Sequence, residues 1–190
     1  QQLIYYIPYI NFDLKDKIEY ANGPFLIGPS IVPFNNKVIL SYTNEFITNQ
    51  HAIYRYDEYN EKWKFSDNKI DKNTIHATIK NGGVFCISKD SEPPKIKKMI
   101  PSINSTYRAN QFNEIKFIVE DEMSGIKNEH NIEVYLNGEK LITEYNSYRN
   151  MVFYEIKHNL KKGRHEIKVI ASDNSHNKIV KKGFFNLKWI

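Results

Sequence analysis

Leu160-Lys-Lys-Gly-Arg-His-Glu-Ile-Lys-Val-Ile-Ala-Ser-Asp-Asn-Ser-His-Asn177 holds a turn, an alternating strand and a polar loop in succession. Lys161, Lys162 and Gly163 supply the turn, Ile167, Val169 and Ala171 alternate to one face, and Asp173 to Asn177 carry short side chains that fold back onto loop backbone. Alternation of apolar and polar side chains marks a strand with one face on a core. The stretch reads as a late strand of a β-sandwich with its flanking loops. The same logic stands upstream, where Ile115, Phe117 and Val119 alternate and then run into Asp121-Glu-Met-Ser-Gly125.

Between these strands Ile132, Val134 and Leu136 alternate up to Asn137-Gly138, which is followed at once by Glu139-Lys-Leu-Ile-Thr143. Both turn residues tolerate positive φ, so a tight hairpin is predicted. Residues 101–110 read as loop. Residues 151–156, 165–172 and 178–189 supply the remaining strands, for a total of about seven, the number expected of an immunoglobulin-like sandwich. The Cys-Trp-Cys pattern of antibody domains is absent.

The first half is also strand material, at residues 3–10 and 17–20, with Pro8 pushing the first run toward a sheet edge. Residues 25–34 contain two prolines and a glycine and read as an irregular edge. Val38, Leu40 and Tyr42 share a face, and residues 51–56 and 62–65 form a hairpin across the turn Asp57-Glu-Tyr-Asn-Glu61, with Trp63 and Phe65 toward the core. Ile75, Ala77 and Ile79 alternate with Thr74, His76 and Thr78, and residues 84–88 close the unit. At Lys89-Asp-Ser-Glu-Pro-Pro94 adjacent prolines stop both helix and ladder. No stretch keeps apolar residues at helical spacing. The expected fold class is therefore all-β, with two β-sandwich modules in tandem: residues 1–91 an accessory sandwich, residues 92–190 immunoglobulin-like.

The net charge of +5 is uneven: residues 1–93 carry 10 Lys+Arg against 11 Asp+Glu, and residues 94–190 carry 17 against 11. Scattered over strands and turns, these lysines read as a solvated surface rather than a nucleic-acid stripe, so no nucleic-acid partner is expected. The single cysteine, Cys86, excludes an intrachain disulfide and sits in a short apolar strand, as a buried inert thiol would. No run approaches the roughly 18 apolar residues of a membrane span, so no membrane insertion is expected. Gln1-Gln-Leu-Ile-Tyr-Tyr6 lacks the basic start of a signal peptide and begins strand-like, as a piece of a longer protein would, monomeric as a fragment.

Five motifs in the second half, Asp90-Ser-Glu-Pro-Pro-Lys-Ile96, Asp121-Glu-Met-Ser-Gly-Ile126, Val134-Tyr-Leu-Asn-Gly138, Leu160-Lys-Lys-Gly-Arg-His165 and Asp173-Asn-Ser-His-Asn177, resemble the bacterial immunoglobulin-like modules of large envelope and surface proteins. The departure is Ser175-His176, where that family usually has Ala-Gly. The first half, with Tyr54-Arg-Tyr-Asp57, Trp63, Thr74-Ile-His-Ala77 and Gly83-Val-Phe85, is similar to the β-sandwich preceding such a module at the C-terminal end of secreted lysostaphin-type zinc peptidases of Gram-negative bacteria. The resemblance implies the accessory tail of a peptidoglycan-cleaving enzyme, extracytoplasmic, periplasmic or at the cell surface, meeting a cell-envelope glycan or protein.

Peptidases of that type bind metal through His and Asp at close spacing, including a His-x-His pair, and none occurs here. His51, His76, His130, His158, His165 and His176 are dispersed. There is no Gly-x-Ser-x-Gly, no phosphate loop and no reactive cysteine with an obvious partner. Asp57 and Glu58 lie in a turn where nothing excludes water. No catalytic set and no resident cofactor are expected.

Two binding sites are worth weighing. In an immunoglobulin-like fold the loops after the second and sixth strands emerge at one end, so Asp121, Glu122, Asp173 and Asn177 could offer oxygens to Ca2+; the competing reading is that they cap loop backbone. Tyr54, Tyr56 and Tyr59 form a candidate ligand-binding face in the first module, with part of the set turned inward by alternation. The rival to an accessory tail is a stand-alone adhesin or carbohydrate-binding module.

Overall fold

Residues 3–8, 14–15, 18–158 and 160–189 are described by the structure, a computed structural model. Their regular structure is strand apart from one 3-10 turn at Glu129–Asn131. The chain forms two compact units, Gln1–Ser91 and Glu92–Ile190.

The first unit contains β1 (Tyr5–Ile7), β2 (Tyr20–Gly28), β3 (Val38–Thr43), β4 (His51–Asp57), β5 (Lys62–Asp67), β6 (Lys69–Asp71), β7 (Thr74–Ile79) and β8 (Gly83–Lys89). They form antiparallel sheets ordered β1-β2-β8-β4-β5 and β3-β7-β6. Phe25, Ile27, Ile53, Phe85 and Ile87 of the larger sheet face Ile75, Ala77 and Ile79, with Val38, Leu40 and Tyr42 packed alongside. Each large side chain buried this way contributes about 1.5–3 kcal/mol. The alternation read in β3 and β7 is thus the inner face of a sandwich.

Two expectations for this unit are corrected. Residues 25–28 belong to β2, which lies between β1 and β8 rather than at the edge. The ladder to β8 shifts register between Tyr20 and Asn22 and again between Asn22 and Phe25, and these irregularities absorb Pro24, which has no N–H to give. Trp63 is buried as expected, but it and the half-buried Phe65 pair with Tyr56 and Tyr54 on the opposite face of the sheet from Ile53, outside the core between the two sheets. The edge role falls to β1, whose Tyr5 ring lies against Gly28 so closely that a Cβ there would stand 2.0 Å from it. The strands expected through residue 10 and from residue 17 fall partly on residues 9–13 and 16–17, outside the described residues.

The second unit contains β9 (Lys95–Ile100), β10 (Thr106–Arg108), β11 (Glu114–Glu120), β12 (Ile132–Leu136), β13 (Glu139–Leu141), β14 (Glu144–Asn146), β15 (Met151–Glu155), β16 (Gly163–Ser172) and β17 (Lys178–Lys188). The sheets run β14-β15-β11-β9 and β10-β17-β16-β12-β13. This is the strand order of an immunoglobulin-like sandwich, with the first strand split between the two sheets. Ile115, Phe117, Val119 and Val152 pack against Val134, Ile167, Val169, Ala171, Phe185 and Leu187, all buried. Asn137 and Gly138 have φ of 53° and 86°, the left-handed pair that a two-residue hairpin requires.

Within the stretch read as loop, β10 pairs in parallel with β17 through Thr106–Asn186, Tyr107–Leu187 and Arg108–Lys188. Three residues are too few to show a period, so the pairing was invisible to pattern reading. His165 is a buried link: its ring lies 2.7 Å through Nε2 from the Lys161 carbonyl and 2.9 Å through Nδ1 from the Asn137 amide nitrogen. Because a carbonyl only accepts, Nε2 carries the proton and Nδ1 is the acceptor. The imidazole thereby ties the turn before β16 to the tip of the β12–β13 hairpin.

Candidate functional site

The loops following β11 and β16 meet. Asn174 donates its backbone N–H to the Gly125 carbonyl at 3.0 Å and its side-chain amide to the Ser124 carbonyl at 2.7 Å. Within the first loop, Asp121 Oδ1 accepts the N–H groups of Met123 at 3.1 Å and Gly125 at 2.8 Å, and the Ser124 hydroxyl at 3.5 Å. Within the second, Asp173 Oδ1 accepts the Asn177 N–H at 2.8 Å, and Oδ2 accepts the Asn177 amide at 2.9 Å. Ser175 donates its N–H to Ser124 Oγ at 3.3 Å, and both serines are fully enclosed. The two loops form one hydrogen-bonded body.

The four residues singled out for Ca2+ are divided by this geometry. Carboxylate oxygens of Asp121 and Asp173 lie within 4.8 Å of one another, and Asp173 is only 1% exposed. Asn177 joins them, but as a donor to Asp173. Glu122 turns away to an ion pair with Lys95 at 3.3 Å, its side chain 76% exposed. The spacing of the two aspartates lets one Ca2+ reach both, at bond lengths of about 2.4 Å. The hydrogen bonds onto the same oxygens are those of loop capping, and that role is on display. Ser124, the hinge of the arrangement, was not singled out from the sequence; a serine three residues after a loop aspartate gave the only signal. His176 adopts φ 64° at the position where the resembled family has glycine; histidine is among the side chains that tolerate this region best.

The tyrosine face of the first unit is corrected. Tyr54 is fully buried, edge-on to Phe65 at 6.2 Å, and Tyr56 is buried edge-on to Trp63 at 5.3 Å. Residues two apart on a strand share a face, so both are covered together, on the face away from Ile53. Tyr59 alone of the three is presented, 93% exposed, in the turn between β4 and β5. There Asp57 Oδ1 accepts the N–H groups of Tyr59 at 3.0 Å and Asn60 at 3.2 Å. An ion-paired hydrogen bond from Lys64, then those from Asn60, holds the Asp57 carboxyl well below the usual carboxylate range. Tyr59 lines a shallow groove of about 250 Å³ with Ile31, Arg55 and Glu58.

Ser41 Oγ lies 2.8 Å from His76 Nδ1 across β3 and β7, above a groove of about 280 Å³ that Asp67 and Asp71 also line. Thr43 and Thr74 make the same kind of contact in the next row, at 2.8 Å, so the serine–histidine pair belongs to a cross-strand polar ladder. Cys86 is completely buried, and burial pushes its thiol far above its ordinary value, which keeps it from acting as a nucleophile.

No family model matches the chain. No curated protein matches it either. Among solved structures, it is similar to CopC from Methylosinus trichosporium OB3b at 11% identity and a TM-score of 0.41, over 50% of this chain and 93% of that one. It is also similar to immunoglobulin domains 1–4 of Sidekick-1, at 10% identity and a TM-score of 0.25, over 98% of this chain and 52% of that one. At these values the sandwich fold rests on the chain's own strand order. No helix of the described residues is long and apolar enough to cross a membrane.

Proposed function

We propose that this chain is a non-catalytic binding and accessory region of an extracytoplasmic bacterial protein, one that positions a peptidoglycan-cleaving metallopeptidase domain or contacts an envelope partner. The observation that supports it is the fate of the polar loop residues in the second unit. Asp121, Asp173 and Asn177 are engaged in bracing their own loops, and Ser124, Asn174 and Ser175 tie the two loops together. Groups that could serve chemistry are committed to holding a surface in shape, as a presenting module requires. The motif resemblance supplies the envelope setting.

The test is retention of the purified chain on insoluble peptidoglycan at low and at physiological salt, with Lys161, Lys162 and Arg164 neutralised in parallel. Retention at low salt is the expected result, its decline with salt and with the charge changes measuring how much of it is electrostatic, and no retention at either salt overturns the reading. A second reading, a stand-alone adhesin or carbohydrate-binding module, draws on the groove beside Tyr59 and Ile31, which are 93% and 92% exposed. An upstream His-x-His metallopeptidase sequence supports the accessory region, and repeated sandwich modules support the adhesin.

A further inference from the structure

Some of the basic residues that look scattered along the second half of the sequence gather on one face of one sheet. Residues directly paired across a ladder share a face. On β16 and β17 the outward face therefore carries Arg164, Lys168, Lys178, Lys182 and Lys188, because His165, Ile167, Val169, Phe185 and Leu187 point into the core. The flanking strands add Arg108, opposite Lys188, and Lys140, opposite Tyr135. Against these stand Glu133 and Glu166.

The opposite sheet of the same unit is a contrast. There Lys95, Lys97 and Lys116 are each ion-paired, to Glu122, Glu120 and Glu114, and among the described lysines of its strands only Lys98 has no ion pair. On the basic face Lys140 pairs with Glu133 at 2.9 Å and Lys182 with Glu166 at 3.0 Å. Arg164, Lys168, Lys178 and Lys188 have no ion pair among the described residues. The asymmetry is one of neutralisation, not only of number.

Lys168 stands directly opposite Lys182, a like-charge cross-strand pair of the kind that destabilises a sheet. The row continues through Tyr135 to Lys140, so Lys182, Lys168, Tyr135 and Lys140 cross four neighbouring strands over roughly 14 Å. A polyanion laid along this row would relieve the repulsion. Aromatic rings are present but taken: the Arg164 guanidinium sits 3.7 Å above the Phe184 ring centre, and the Lys168 ammonium 5.3 Å from that of Tyr135. Bases need open ring faces on which to stack. Beside the row, Ile170 faces Val180, and Ser172 and Asn186 lie further along the same strands, apolar and hydroxyl-matching contacts suited to sugar rings.

We infer that the outer face of the β10-β17-β16-β12-β13 sheet is the docking surface for an acidic polysaccharide, laid across the strands along the Lys182–Lys168–Lys140 row. The inference rests on the reading of this chain as a binding module and names the surface and the chemistry of its partner.

The experiment measures binding of the full chain to immobilised polygalacturonate across a salt titration, with neutral dextran and a duplex DNA of matched charge as comparisons. The variant K168Q/K178Q/K182Q is set against K95Q/K97Q/K116Q, which removes the same charge from the opposite sheet, and thermal melts establish that both fold. The expected result is salt-sensitive binding to polygalacturonate, weakened about tenfold or more with a shallower salt slope in the first variant and changed less than about twofold in the second. Equal loss in both variants, binding to dextran, or DNA bound as tightly as polygalacturonate overturns the inference. Retention on peptidoglycan with no binding to polygalacturonate overturns the inference and leaves the proposed function standing. Failure on both matrices overturns both.

Discussion

Ser124 acts at the scale of one hydroxyl. Its Oγ receives the Ser175 N–H and reaches Asp121, so Ser124→Ala leaves a buried N–H without its acceptor. Such a loss costs about 1–3 kcal/mol, read as a lower urea midpoint; an unchanged midpoint would remove the residue from its bridging role. His51 carries a pH effect. Its Nδ1 accepts the Thr48 N–H at 3.1 Å, and burial, with the Lys89 ammonium acting in the same direction, lowers the imidazole below its usual value. The unfolded chain therefore takes up a proton at higher pH than the folded one. The stabilisation is complete above about pH 6.5 and is lost as pH falls toward the folded value. Melts at a series of pH values are expected to show this decline, and His51→Gln to flatten part of it. At this scale little was legible beforehand, because Tyr54 and Tyr59 differ only in what lies over them.

Strands were legible wherever six or more residues alternate, and the limits of that signal show in β10 and β2. β10 is too short to have a period, and β2 is broken by Pro24 yet kept in the sheet by register shifts. Gly183 shows a close approach that no pattern announces: in mid-β17, a Cβ there would stand 2.6 Å from Ile103 of the loop between β9 and β10. Gly183→Val is expected to cost about 1–3 kcal/mol through overpacking, measured by equilibrium unfolding. Ile103→Ala in the same chain is expected to recover a large part of it. Strict additivity of the two changes would show that the glycine is not there to admit Ile103.

Across the whole molecule, every residue of the second apolar core lies between Ile96 and Leu187. A fragment of residues 92–190 is therefore expected to melt in one cooperative transition, followed by circular dichroism; a fragment with no transition would mean that this core is insufficient alone. The sequence by itself determined what local physics can determine: strands from side-chain period, the Asn137-Gly138 hairpin from tolerance of positive φ, and the loop carboxylates from their spacing to backbone donors. Tertiary structure decided everything that depends on residues far apart in the chain. It gathered Lys140, Lys168 and Lys182 into one row, joined Ser124 to Ser175, turned Glu122 to Lys95 and buried Tyr54 beneath its neighbours. Period tells a side chain which face it shares, but only the pairing of strands tells that face what it meets.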